Sequence, residues 1–173
     1  WMKMGDPWSE RTEADAVVVE FKGQSVRAIP YDSPVIGYGG KKVNTLRLWQ
    51  AEPMENFKFD LFNDQKYDKA AKDRVEADAI CAVLYPNDTT DAGKKLRLKQ
   101  QYFFIAASLQ CLTRRHMKRF GTLDNFAEKV AIHINDTHPT MAIPELMRIL
   151  VDNYEYHWED AWNIVKDTIS YTN

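Results

Sequence analysis

The sequence predicts an α/β chain in which an antiparallel β section precedes long helices. Three observations lead there. Residues 14 to 50 carry short β-branched and aromatic runs cut by Pro, Gly, Asn and Asp. Residues 60 to 83 and 94 to 118 space their apolar residues as helices do. One apolar strand, Lys129 to Asn135, then runs directly into a helical segment, the alternation of an α/β sheet.

Val17, Val18 and Val19 lead into Phe21, and Gly23 marks a turn before Ser25 to Ile29. Tyr31-Asp-Ser-Pro34 and Gly37-Tyr-Gly-Gly40 read as two further turns ahead of Val43 to Trp49. Together these make an antiparallel section with one wetted face. Tyr67, Ala70, Ala71, Val75, Ala79, Cys81 and Ala82 fit helical spacing. Much of that helix is polar all round, as in a helix that is exposed or meets a partner chain. Leu84 to Gly93 is a loop by its Pro, Asn, Asp and Gly content. A helix from Lys94 to Lys118 follows, with its stripe at Leu98, Gln101, Ile105, Leu109 and Leu112 and its end at Gly121. Pro144 is the expected first residue of the next helix, where its missing N–H has no partner to lose. Leu146, Ile149 and Leu150 face inward there, as do Trp158, Ala161, Trp162 and Val165 in the last helix.

With 45% hydrophobic and 28% charged residues, the chain has the balance of an ordinary globular protein. A net charge of -2 gives no pull toward nucleic acid or anionic membrane. No apolar run reaches the length of a membrane span, and WMKMGDPW at the start has no signal-peptide pattern. Cys81 and Cys111 each sit in an apolar run and read as buried thiols. At 173 residues the chain is one domain or a piece of a larger one. Its start without methionine and its end without a capping glycine read as cut ends.

Candidate chemistry gathers in Lys129 to Leu146, KVAIHINDTHPTMAIPEL. Alternation puts His133 on one face with Ala131, as a hydrogen-bonded histidine under a covering helix. Asp136 and His138 fall past the strand's carboxyl end, where open α/β sheets bind ligands. Asp136 would accept hydrogen bonds from hydroxyl groups, and His138 could donate or accept. The plainer alternative has Asp136 capping the turn and His138 packing on Pro139. His133, Asp136 and His138 are also competent zinc or manganese donors, but alternation sends His133 sideways and Asp136 to the strand end. No G-x-S-x-G, Walker or G-x-G-x-x-G pattern occurs. Lys94, Lys95, Arg97 and Lys99 crowd a helix start, where the dipole disfavours cations. An anion or carboxylate near Arg97 would offset that, as would solvent. Arg114, Arg115, His116, Lys118 and Arg119 sit at the other end, where the dipole favours them. They read as a solvated helix terminus, with a phosphate site as the minority reading.

Leu84-Tyr-Pro-Asn-Asp88, Lys95-Leu-Arg-Leu-Lys-Gln-Gln-Tyr102, Asn135-Asp-Thr-His-Pro139 and Ala142-Ile-Pro-Glu-Leu-Met-Arg148 closely resemble the glycogen (α-glucan) phosphorylases. Gly5-Asp-Pro-Trp8, Tyr31-Asp-Ser-Pro34 and Val43-Asn-Thr-Leu-Arg-Leu-Trp49 are similar to earlier stretches of that family. The resemblance runs in order over essentially the whole chain. It implies a two-domain glycosyltransferase of the GT-B type, with a Rossmann-like fold, that uses pyridoxal phosphate. Such an enzyme cleaves terminal α-1,4-linked glucose from a glucan with inorganic phosphate, giving glucose 1-phosphate with retained configuration. The cofactor phosphate is then the acid/base partner of the substrate phosphate. Residues 1–173 would be one incomplete domain, the middle and later part of the N-terminal domain. The cofactor lysine and the phosphate-holding residues would lie in an absent C-terminal domain, so this chain alone would bind no cofactor and be inactive.

Residue by residue, the resemblance implies that Asp136 and His138 are sugar-side groups of the cleft. Tyr85, Asn87 and Asp88 would belong to the mobile gate loop beside it, and Arg97 matches a family arginine nearby. Orientation and hydrogen bonding would suffice for these roles. Arg114 and Arg115 match arginines that bind effector phosphate in regulated animal enzymes. Three departures qualify the match. Thr89-Thr90-Asp91 stands where animal enzymes carry Asn and an aromatic pair, which argues against a purine-stacking lid. His133 replaces a common glutamine. The connector from Lys118 to Phe126 is short, which argues against nucleotide control. The polar helix of residues 60 to 83 resembles a projecting helix that packs against the second subunit, so a cytoplasmic homodimer is the expected parent. The rival readings are a non-catalytic α-glucan-binding or subunit-interaction module, and an unrelated metal hydrolase using Asp136 and His138.

Overall fold

A computed structural model describes residues 8–55 and 58–173. Gly5, Asp6 and Pro7, part of the phosphorylase-like run ending in Trp8, lie outside the described residues. The chain forms two compact units, divided between Gln100 and Gln101.

The first unit is built on an antiparallel sheet of β1 (Glu10–Arg11), β2 (Val17–Phe21), β3 (Gln24–Ile36) and β4 (Val43–Pro53). β3 is central: β1 and β2 share one of its edges and β4 takes the other. Gly23, at φ 84, closes the β2–β3 hairpin in a conformation that suits a residue without Cβ. Val17 and Val19 stand opposite Ala28 and Val26, and Ala28 stands opposite Ala51. This buried row is the covered face. Against it the structure sets α2 (Tyr67–Ala82), which packs on β4 and follows the short α1 (Phe59–Asn63).

Two expectations change here. Tyr31-Asp-Ser-Pro34 is no turn but the middle of β3, with Tyr31 opposite Leu48 and Pro34 opposite Thr45. The prolines are tolerated for a geometric reason. Pro30 gives its carbonyl to the Thr12 amide at 3.0 Å, so its own nitrogen faces the β1–β2 edge, away from β4. Pro34, four residues on, faces the same way, beyond the point where β1 stops pairing. A strand accepts proline where no partner asks for an N–H. In α2 the inner face runs through Ala70, Ala77 and Ile80, while Val75 is 62% exposed. Small alanines allow close approach to the sheet, so the helix turns that side inward. Cys81 lies at this seam, its Sγ 3.3 Å from the Ala51 amide and 3.4 Å from the Trp49 carbonyl. Burial pushes its thiol up to about 11.

The helix α3 (Asp91–Phe120) begins three residues before the expected Lys94 and ends where expected, at Gly121. Gly121 sits at φ 75 with its amide on the Met117 carbonyl, a left-handed stop.

The second unit joins the later part of α3 to α4 (Phe126–Lys129), β5 (Ile132–Asn135), α5 (Ala142–Arg148), α6 (Trp158–Thr168) and β6 (Ile169–Thr172). A widened turn at Ile149–Asn153 continues α5. β5 and β6 pair in parallel, Ile132 opposite Ile169 and Asn135 opposite Thr172, so the helices between them form the crossover that parallel pairing requires. Ile105, Leu109, Leu123, Phe126, Leu146, Leu150 and Val165 meet in one buried cluster. Each large aliphatic side chain fully buried there contributes about 1.5–3 kcal/mol. Leu146, Ile149 and Leu150 face inward as expected, whereas Leu98, Trp158 and Trp162 are exposed. The strand begins at Ile132 rather than Lys129, since Lys129 closes α4 and Val130 and Ala131 connect the two. Pro144 is the third residue of α5 rather than the first, still within the turn whose amides have no helical acceptor. Among the described residues no helix is long and apolar enough to cross a membrane.

Candidate functional site

In the first unit, the loop between α2 and α3 brings Tyr85, Asp88 and Arg97 together. The Arg97 guanidinium pairs with the Asp88 carboxylate at 2.7 Å and lies 5.5 Å from the centre of the Tyr85 ring. Asp88 is thus the carboxylate that a cation near a helix start calls for. Tyr85 holds a φ of 54, a left-handed backbone that costs a bulky residue on the order of 1 kcal/mol. Asn87 turns inward on its own loop: its Oδ1 accepts from the Thr89 amide at 2.9 Å and the Thr89 hydroxyl at 2.8 Å. Thr90 caps α3, its Oγ1 accepting from the Gly93 amide at 3.2 Å. Gly93 and Gln100 escape a reading of the sequence alone. Gln100 donates Nε2 to the Val83 carbonyl at 2.7 Å, and Gly93 lies against the Asn87 carbonyl. Thr90 followed by Asp91 is the one local signal that marks the true helix start.

In the second unit, Asp136 and His138 stand in the turn after the carboxyl end of β5. Alternation along four strand residues puts them there rather than on a sheet face. Asp136 has a φ of 65, a region that Asp enters more readily than most residues. Its amide donates to the Thr172 carbonyl at 2.6 Å, so the last residue pair of the parallel sheet fixes it. Its Oδ1 accepts from the Thr137 amide at 2.6 Å. The Thr140 hydroxyl donates to the Thr137 carbonyl at 2.8 Å, closing the turn into α5. Asp136 therefore caps the turn and also stays exposed; His138 is half-buried.

His133 is hydrogen-bonded, but not under a helix: it is exposed, with Ser170 Oγ 3.1 Å from Nδ1 and Thr172 Oγ1 2.5 Å from Nε2. Its partners come from the neighbouring strand, which sequence alternation alone does not reveal. Among the described residues no group of three or more His, Cys, Asp or Glu is placed to hold a metal. Arg114 and Arg115 are exposed near the end of α3. Between them and the helix end, His116 is buried, 2.7 Å from Asn125 Oδ1, and packs on Phe120 and Phe126.

The family model for carbohydrate phosphorylases matches residues 1–173. The chain belongs to the carbohydrate phosphorylase family. It is 41% identical over 192 residues to a glycogen phosphorylase of Synechocystis sp.. It is 45% identical over 195 residues to the brain form of glycogen phosphorylase from Mus musculus, and equally to the muscle form from Ovis aries. Each match takes in all of this chain and 23% of the relative, so this phosphorylase chain spans under a quarter of the length of the relatives it matches.

Proposed function

We propose that this phosphorylase chain is part of the N-terminal domain of a GT-B-type glucan phosphorylase, and that residues 1–173 are one incomplete domain of it. The parent would phosphorolyse terminal α-1,4-glucosidic bonds of a glucan to glucose 1-phosphate. The observation that carries this reading is the match of the family over every residue of the chain. In the proposed cleft, Asp136 and His138 hydrogen-bond sugar hydroxyls from the end of β5. The loop residues Tyr85, Asn87 and Asp88, with Arg97 on α3, would also contact glucan. The left-handed backbone at Asp136 and Tyr85 supports this assignment, since such strain concentrates at binding sites.

Pyridoxal phosphate would supply its phosphate as a proton partner in the parent. Among the described residues no lysine is buried, so this chain offers no enclosed amine of the kind that holds the cofactor as an imine. Its attachment would fall to residues of the parent outside this chain. Arg114 and Arg115, exposed and cationic, would meet an effector phosphate at most weakly, and nucleotide control is not part of the proposal. A cytoplasmic homodimer, with the outer face of α2 at the subunit contact, completes it; the exposed Tyr67 and Val75 support that contact.

The test compares the purified chain with the complete parent protein, each given maltoheptaose and inorganic phosphate. Glucose 1-phosphate should form only with the complete protein. No product from the complete protein, or product from the chain alone, would overturn the reading.

A further inference from the structure

Gly93, Arg97 and Gln100 follow one another at helical spacing along the start of α3, so a single helix face looks back at the loop from Val83 to Thr90. Each of the three holds a different point of that loop. Gln100 holds its entry through the 2.7 Å bond to the Val83 carbonyl. Arg97 holds its middle through Asp88 and the Tyr85 ring. Gly93 holds its exit by being small. A Cβ there would stand 2.0 Å from the Asn87 carbonyl oxygen, 3.0 Å from its carbon and 3.1 Å from the Asp88 Cα. All three are backbone atoms, so no change of rotamer would relieve the clash.

We infer that Gly93 and Gln100 are positioning residues that set where the Tyr85–Asp88 segment rests. The inference rests on the proposed glucan-facing role of that segment. Tyr85 occupies an unfavourable backbone region, and a strained residue keeps its place only when its surroundings hold it. Gln100 and Gly93 fasten the segment on both sides of that strain. Neither carries a group suited to the chemistry, so each acts through the loop.

The experiment uses the complete parent protein with Gln100→Leu, Gln100→Lys and Gly93→Ala. Hydrogen exchange is followed by peptide, together with kcat and KM for maltoheptaose and for phosphate. In Gln100→Leu, exchange across residues 83–90 should speed by about fivefold, the loss of one hydrogen bond, while β3 and β4 keep wild-type rates. KM for maltoheptaose should rise by a similar factor, and KM for phosphate should hold. Gln100→Lys keeps a donor within reach of the Val83 carbonyl and should restore both values. Gly93→Ala should act more strongly; if it does not fold, the exposed-side Gln100 variants still decide. Unchanged loop exchange in a folded Gln100→Leu, or exchange that rises equally throughout, overturns the inference. So does faster loop exchange with an unmoved KM for the glucan. A wild-type protein without phosphorolysis would sink the phosphorylase reading alone, and the positioning role would then stand or fall on the exchange rates.

Discussion

Tyr156 donates its hydroxyl hydrogen to the Asp124 carboxylate across 2.6 Å, and the same oxygen accepts from the Leu123 amide at 3.2 Å. One phenol thereby ties the stretch just before α6 to the connector between α3 and α4. Tyr156→Phe removes both bonds and leaves the ring in place. The loss of both bonds should lower the urea midpoint at unchanged slope. The pH dependence follows from the two shifts. The Tyr156 bond, helped by Thr122, holds Asp124 below its ordinary value. Its contribution is therefore present above the unfolded carboxylate pKa and lost as pH falls through the lower folded one. Burial, then the bond to Asp124, raises Tyr156, so that contribution is present below the unfolded phenol pKa and lost as pH rises through the folded one. The gap between wild type and Tyr156→Phe should thus be widest near neutrality. A gap that is constant from acid to alkaline pH would refute this assignment.

Glu145 is the buried charge of α5, its side chain 4% exposed. Arg148 meets it with two bonds, Nε to Oε2 at 2.8 Å and Nη2 to Oε1 at 2.9 Å. The two partners are not equivalent, because Arg148 is 40% exposed and can turn to water. Glu145→Gln leaves a cation with a solvent route and should cost about 1–2 kcal/mol, below the usual toll for a broken buried pair. Arg148→Met leaves the carboxylate little solvent and only the long bond from the Tyr102 hydroxyl, 3.4 Å to the nearer oxygen, and should cost about 3 kcal/mol. Urea unfolding of both variants checks the order. Equal costs would mean that Glu145 reaches water as readily as its partner.

Much of this organisation is legible in the sequence, and the failures have physical causes. The valines of β2 and the left-handed stop at Gly121 are local effects, so local reading finds them. Tyr31-Asp-Ser-Pro34 carries every local turn signal. Pairing with β4 from Thr45 to Leu48 and with β1 at Glu10 and Arg11 overrules them, and nothing within four residues announces those partners. In α2 a nearly uniform polar surface leaves the inward face undecided until the sheet selects Ala77 over Val75. At the candidate site, Asp136 and His138 are legible because strand alternation marks where β5 ends. Gln100 is not, since its acceptor lies 17 residues earlier and a glutamine on a polar helix is unremarked.

Cys81 should behave as a poor nucleophile. Its thiol is pushed up to about 11 from 9.0, chiefly by burial. At pH 8 that leaves a thiolate fraction about a hundredfold below that of an ordinary cysteine. Iodoacetamide labelling of the folded chain, located by peptide mass, should therefore be slow at position 81 and still climbing between pH 9 and pH 10.5. Stability should fall over the same range, because the folded state holds a proton that the unfolded thiol has begun to lose. Labelling that levels off by pH 9 would show that the seam between α2 and β4 does not desolvate the sulfur.

Asp136 allows structural and binding roles to be separated, because backbone and side chain make different demands. Its left-handed φ of 65 suits Asp, Asn and Gly, and penalises alanine by roughly 1 kcal/mol. Its Oδ1 accepts from the Thr137 amide, which an asparagine carbonyl can also do. Asp136→Asn should therefore unfold within about 0.5 kcal/mol of wild type, and Asp136→Ala about 1–2 kcal/mol earlier, counting both the strain and the lost acceptor. Glucan binding asks for something else. A carboxylate accepting from a sugar hydroxyl makes a charge-assisted bond worth about 1.5–3 kcal/mol, which is ~10–100-fold in binding. On the proposed sugar-binding role, Asp136→Asn in the complete parent keeps a neutral acceptor and loses only the charge-assisted part, so kcat/KM for maltoheptaose should fall about 5–10-fold while stability holds. If Asp136→Asn keeps full activity and only Asp136→Ala loses it, Asp136 serves the turn and its proposed sugar contact is refuted.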